Sequence, residues 1–323
     1  MRHRNTRHRV PLALVLAVGA VLFVGARAVA GQTPPPASPP QAVAPKPPQG
    51  YAGSGECAQC HKAEVAQFAA TNKGKLFLEH PKTSHEALGC ETCHGPAKQH
   101  VQSGAEERGG LISFGRKSPT PVAQRNAVCL SCHQETARML WQGSAHESRN
   151  VACTDCHAVM HNTSDRANLR HATVLATCGS CHATEKAKQM RFAHMPLGEQ
   201  KIECTSCHNP HGSPTPKLLI ASSINETCTS CHAEKRGPFL WEHAPVTENC
   251  ANCHDPHGSS HEKMLVASRP RLCQQCHNSS GHPTLPRNPG LPADLQFVFN
   301  RQCSNCHFNI HGSNHPSGKA FTR

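Results

Sequence analysis

Ten times along the chain, two cysteines stand three residues apart with a histidine directly after the second. The pairs are Cys57 and Cys60, Cys90 and Cys93, Cys129 and Cys132, Cys153 and Cys156, Cys178 and Cys181, Cys204 and Cys207, Cys228 and Cys231, Cys250 and Cys253, Cys273 and Cys276, and Cys303 and Cys306. The histidines are His61, His94, His133, His157, His182, His208, His232, His254, His277 and His307. All 20 cysteines are used in this way, which leaves none for a disulfide framework or a lone catalytic thiol. Two thiols at this spacing beside an imidazole suit covalent capture of haem. The thiols add to the two vinyl groups of the porphyrin, and the imidazole becomes the proximal iron ligand. Redox cysteine pairs have no use for the histidine, and zinc knuckles do not require it. With histidine at 26 of 323 positions, ten such placements would arise by chance with a probability on the order of 10⁻¹¹. The motifs therefore predict ten covalently bound c-type haems (haem c) and their irons.

A second axial ligand has to come from elsewhere. His3 and His8 lie in the N-terminal leader described below, which leaves fourteen distal candidates: His80, His85, His100, His146, His161, His171, His194, His211, His243, His257, His261, His282, His311 and His315. Several recur at set offsets, and the recurrence defines a repeat. A haem motif is followed by a polar run ending in histidine, then by a second motif and another histidine a few residues on. His133, His146, His157 and His161 form one such unit, as do His182, His194, His208 and His211, and His232, His243, His254 and His257. The first and fifth units are looser. His80 or His85 fills the first slot before His94 and His100, and His282 precedes a longer insertion before His307 and His311. Five tandem two-haem repeats result. His211 and His257 follow a proximal histidine by three residues, and His311 by four. Residues so close do not reach both faces of one porphyrin, so these three are expected to ligate a neighbouring haem. Of the methionines, Met139, Met160, Met190, Met195 and Met264 occupy no repeat position and read as packing residues.

The elements that must position these groups are unusual. The chain has only ten Phe, two Trp and one Tyr against 23 Gly and 26 Pro, too little aromatic bulk for the large core a chain of this length normally builds. The expected fold is a multihaem cytochrome c, mostly irregular, with short α-helices wrapped around a linear array of ten haems and little or no β-sheet. Residues 1–30 have the layout of a secretory signal peptide: early arginines, an apolar run from Pro11 to Ala26, and Ala28-Val29-Ala30 before Gly31. That run is shorter than the ~20 residues a spanning helix needs. Residues 31–50 form a Pro-rich linker, and the decahaem domain is expected over 51–323. Removing the five leader arginines takes the formal charge from +12 to +7. Haem propionates and irons then bring the total to about −3 oxidised and about −13 reduced. The basic composition therefore does not indicate a nucleic-acid partner.

A catalytic haem needs an open coordination position, and a bis-histidine iron has none. Every motif ends in histidine and distal candidates exceed the need, so the pattern favours an electron carrier over an enzyme, with no catalytic residues. Ligation without methionine predicts low reduction potentials. The stretches EKRGPFLWEHAPVTENCANCHDPHGS (234–259) and HMPLGEQKIECTSCHNPHGS (194–213) and the C-terminal IHGSNHPSG (310–318) resemble the decahaem cytochromes of the MtrA/DmsE type over about Tyr51 to Arg323. The resemblance implies a periplasmic protein associated with the outer membrane through a porin-like β-barrel partner. It implies electron exchange with periplasmic or inner-membrane cytochromes on one side and an extracellular multihaem cytochrome or reductase on the other. The alternatives are a soluble periplasmic electron shuttle or storage cytochrome and, further off, a multihaem reductase.

Overall fold

The computed structural model describes residues 47–194, 201–277, 279–280, 282–283 and 302–322. The leader, most of the Pro-rich linker and Met195 lie outside these residues, and of His282 only the backbone is described. The described residues belong to one compact unit, Pro47–Arg323. Its chain is already fastened before Tyr51, because the Gly50 carbonyl accepts the Lys98 N–H at 3.2 Å.

Among the described residues the longest helix is Val122–Leu130, nine residues. The strands Ser279–Ser280 and His282–Pro283 pair antiparallel and are two residues each. No helix among the described residues is long and apolar enough to cross a membrane. What recurs instead is a single helical turn at every motif. In all ten, the histidine N–H bonds the carbonyl of the first cysteine four residues back, at 2.9 to 3.1 Å. Such a turn puts the two cysteines on one face, three residues apart, with the imidazole next to them.

First and second motifs of a repeat are built differently. First motifs ride on short helices: Ser54–Cys60, Val122–Leu130, Val174–Cys178, Ile224–Thr229 and Arg271–Gln274. Two of these are N-capped by Thr173 and Ser223, whose hydroxyls accept the N–H groups of Ala176 and Glu226 at 3.0 Å. Second motifs sit in one-turn helices or 3₁₀ turns such as Cys153–Cys156, Cys204–Ser206 and Cys250–Asn252.

A side chain three residues before the first cysteine joins the two. Ser54 Oγ accepts the Cys90 N–H at 3.1 Å, Asn126 Oδ1 that of Cys153 at 2.8 Å, and Asn225 Oδ1 that of Cys250 at 2.8 Å. Each asparagine also donates its amide to nearby carbonyls: Asn126 to Val151, Asn225 to Val246 and Thr247.

Successive repeats meet through the His-Gly-Ser loops. Gly212, Gly258 and Gly312 have φ of 118°, 117° and 131°. A Cβ at these positions would overlap the Leu140 carbonyl, the Lys188 carbonyl and the Phe239 ring respectively. Only glycine permits both the backbone angle and the approach. Next to it, Ser259 pairs with Phe192 and Ser313 with Trp241 as short antiparallel bridges. Each loop is thereby laid against the arm that leads to a distal candidate of the preceding repeat.

Apolar burial is sparse. Among the described residues the buried apolar side chains are Phe68, Trp141, Val174 and Leu265, with Ala97, Ala152 and Ala158. Met139, Met160 and Met190, expected as packing residues, are instead left exposed by the polypeptide. Polar locks do more of the positioning: the buried Glu91 carboxylate accepts the N–H groups of Ala52, Gly53 and Ala97 at 2.8 to 2.9 Å. Replacing Asn225 by Leu, the residue that stands at the same position before Cys178, should remove the lock between the seventh and eighth motifs. The expected loss is about 1–3 kcal/mol, read as a lower denaturation midpoint of the haem-loaded protein with unchanged haem content.

Candidate haem centres

Six histidine pairs stand out in the described structure. Ring centres lie 6.2 Å apart for His146 and His182, 6.1 Å for His157 and His211, and 6.0 Å for His194 and His232. They lie 6.0 Å apart for His208 and His257, 6.2 Å for His243 and His277, and 6.2 Å for His254 and His311. Every pair joins one motif histidine to one distal candidate. Four are close to parallel, with interplanar angles of 9° to 20°. Parallel rings in face contact would sit closer than this. A metal–imidazole bond of about 2.0–2.1 Å, with about 1.1 Å from nitrogen to ring centre, puts two rings trans across one metal at about 6.2 Å. The gaps therefore match what an iron between two imidazoles requires, and the residues present fit haem c.

The pairs also have a direction. The first distal candidate of a repeat faces the first motif of the next repeat: His146 to His182, His194 to His232, His243 to His277. The second distal candidate faces back to the second motif of the repeat before: His211 to His157, His257 to His208, His311 to His254. Two such pairs thus span each junction from the second repeat to the fifth. None of the six pairs joins histidines of one repeat.

Supporting hydrogen bonds set the tautomer. In every second motif the proximal Nδ1–H donates to a carbonyl: His94 to Ile112 at 2.9 Å, His157 to Ala167 at 2.7 Å, His208 to Lys217 at 2.7 Å, His254 to Lys263 at 2.9 Å and His307 to Ala320 at 2.5 Å. Nε2 is then left unprotonated for a metal, and the ligand is made more basic. Three of these carbonyls sit in tight turns with two successive left-handed residues, Ala167 and Asn168, Lys217 and Leu218, Lys263 and Met264. Non-glycine residues adopt that conformation at a cost, and it recurs here where it aims a carbonyl at the imidazole. Distal His146 Nδ1 donates to the Pro210 carbonyl at 2.7 Å. Burial lowers the basicity of His194, His243, His257 and His311, and brings His211 down to about 4. These rings stand neutral, which is the metal-binding form.

The attachment cysteines follow chain order. Within each repeat the first cysteines are electrostatic neighbours: Cys57 with Cys90, Cys129 with Cys153, Cys178 with Cys204, Cys228 with Cys250 and Cys273 with Cys303. Between repeats the second cysteines are electrostatic neighbours: Cys93 with Cys132, Cys156 with Cys181, Cys207 with Cys231 and Cys253 with Cys276. Every motif is therefore adjacent to the motif before it and the motif after it.

Among the described residues, His80, His85, His100, His161, His171, His261 and His315 take no part in the six pairs. His85 opens the 3₁₀ turn Glu86–Leu88 as His146 opens Glu147–Arg149, and both turns close on a residue with positive φ, Gly89 or Asn150. It is the local counterpart of His146, whereas the His80 side chain is exposed beside Glu79. Asn162, next to His161, donates to the Ala70 carbonyl at 3.2 Å and so ties that loop to the first repeat. His100 Nδ1 donates to the Glu107 carbonyl at 3.0 Å. His315 Nδ1 instead accepts from the Ser317 N–H at 3.1 Å. Sequence reasoning missed the asparagines at 126 and 225. Their fixed position before a first-motif cysteine was the available signal, and it held in only some repeats.

Comparison with known proteins agrees with this geometry. The doubled CXXCH motif family matches residues 194–237 and 243–282, and the cytochrome c-type protein NrfB-like family matches residues 90–173. The chain is 47% identical over 276 residues to the multiheme cytochrome MtrA of Shewanella baltica, covering 84% of this chain and 81% of that one. It is 24% identical over 153 residues to the cytochrome c-type protein NrfB of Haemophilus influenzae, 41% of this chain and 66% of that one. To the multiheme cytochrome MtrC of Shewanella baltica it is 27% identical over 159 residues, 41% of this chain and 23% of that one. Motif, fold and relatives define a multihaem c-type cytochrome, an electron carrier and not an enzyme. Within that class the chain belongs to the MtrA family.

Replacing His211 by Ala should leave one iron with an open position. The ferric spectrum of the loaded protein should gain one high-spin haem, and the ferrous form should bind carbon monoxide at one site. The altered haem should be the one attached at Cys153 and Cys156.

Proposed function

We propose that the protein carries ten haems in chain order and conducts electrons along them between the periplasm and the cell exterior, seated inside an outer-membrane β-barrel partner. The observation that supports this reading is that each motif neighbours the next: side-chain hydrogen bonds link the two motifs of four repeats, and six histidine pairs join the second repeat to the third, the third to the fourth and the fourth to the fifth. Haem, when bound, supplies the one-electron chemistry. The chain supplies attachment through the 20 cysteines, orientation through the carbonyl bonds to Nδ1, and occupation of both axial positions. Bis-histidine centres have no open site for a substrate, which favours transfer without bond chemistry.

The two-way pairing extends to the ends by the same rule. His85 then serves the centre of His133, and His161 that of His94. In the first repeat His100 has no earlier repeat to reach back to, and in the fifth His282 has no later one to reach forward to. They remain for the terminal centres of His61 and His307. His80, His171, His261 and His315 are left as surface residues.

Periplasmic residence rests on the signal-like leader, and the barrel partner and an extracellular multihaem acceptor rest on family resemblance. The test is reconstitution of the protein with a porin-like outer-membrane β-barrel protein from the same organism, in vesicles holding a redox dye. External reductant should reduce the enclosed dye only when both proteins are present. Full incorporation without dye reduction would remove the conduit and leave a soluble electron shuttle.

A further inference from the structure

The three loops that return a histidine to the preceding repeat differ two residues before that histidine: Asn209 precedes His211, Asp255 precedes His257 and Asn309 precedes His311. Asn209 and Asp255 make the same local turn. The Oδ1 of each accepts the backbone N–H of its histidine, at 3.2 and 3.1 Å. What differs is charge. Asn209 uses its amide on the Ala137 carbonyl of the preceding arm at 2.8 Å. Asp255 instead holds Lys188 Nζ of the corresponding arm at 2.8 Å, and its Oδ1 lies 3.4 Å from Nδ1 of His257. The carboxylate is only 23% exposed, so solvent screens it incompletely. His257 is the ring that faces His208.

A carboxylate against the non-ligating nitrogen of a metal-bound imidazole makes that ligand more basic and favours the more positive metal. For haem this means the ferric state, hence a lower potential. A cation paired with the carboxylate weakens the effect. We propose that Asp255 is a tuning residue that lowers the reduction potential of the centre shared by His208 and His257, with Lys188 limiting how far. The proposal rests on the reading that His257 ligates that iron. It assigns one low-potential step to the interior of the array, at the junction of the third and fourth repeats. The otherwise equivalent centre of His157 and His211 has a neutral asparagine in that place.

Two substitutions separate charge from structure. Asp255→Asn reproduces the turn that Asn209 already makes, and Lys188→Gln removes the counter-charge while leaving the carboxylate. In potentiometric titrations of the haem-loaded protein, Asp255→Asn should raise one component by about tenfold in its reduction equilibrium, 59 mV for one electron. Lys188→Gln should lower the same component. Both variants should stay low-spin. A merely structural ion pair would move both in the same direction, and that result, or no movement in either, overturns the proposal. His257→Ala serves as the control and should give one high-spin iron. If it gives none, the ligand assignment falls and the proposal with it; if it does and Asp255→Asn changes nothing, only the tuning falls.

Discussion

The structure depends on one constraint: a gap of 6.0 to 6.2 Å between an imidazole of one repeat and an imidazole of the next. That gap fits an iron with two trans imidazoles and is too wide for direct packing of parallel rings. Keeping it open requires Gly212, Gly258 and Gly312 at the loop contacts, and carbonyls held in left-handed turns behind the second-motif histidines. Few large apolar side chains are buried among the described residues. Cohesion between repeats comes from the loop contacts, such as the Phe192–Ser259 and Trp241–Ser313 bridges and the Lys188–Asp255 ion pair; haems held by the histidine pairs would add to it and couple folding to haem loading, as metal binding does wherever ligands come from separate segments.

The same constraint orders the electron path. Each junction from the second repeat to the fifth is crossed twice, once by a histidine reaching forward and once by one reaching back. The cysteines alternate likewise, first against first within a repeat and second against second between repeats. A succession of neighbouring motifs follows from these local rules applied repeatedly, with no helix longer than nine residues and strands of only two residues each among the described residues. Differences between centres then come from substitutions at equivalent positions, such as aspartate against asparagine in the return loops.

The covalent chemistry was legible in the sequence because it is local: five consecutive positions carry both thioether attachments and the proximal ligand. The fold class followed from the same residues, since so many motifs with so few aromatic side chains leave little room for an ordinary core. Distal pairing was not legible. His211 lies three residues from His208, and that spacing could say only which iron it was unsuited to, while its partner His157 belongs to another repeat. Asn126 and Asn225 look like solvated helix residues in sequence. Their roles emerge only when the Cys153 and Cys250 N–H groups are seen to end on them. The preference for His85 over His80 rests on a local likeness, the 3₁₀ turn that His85 opens as His146 does.

The central claim is that irons are shared between successive repeats, and an experimental density map of the haem-loaded protein tests it most directly. It should show His146 trans to His182 and His211 trans to His157, with each porphyrin attached to the motif of the second-named histidine. A map with His211 trans to His208, or with both axial ligands of a centre drawn from one repeat, would contradict it.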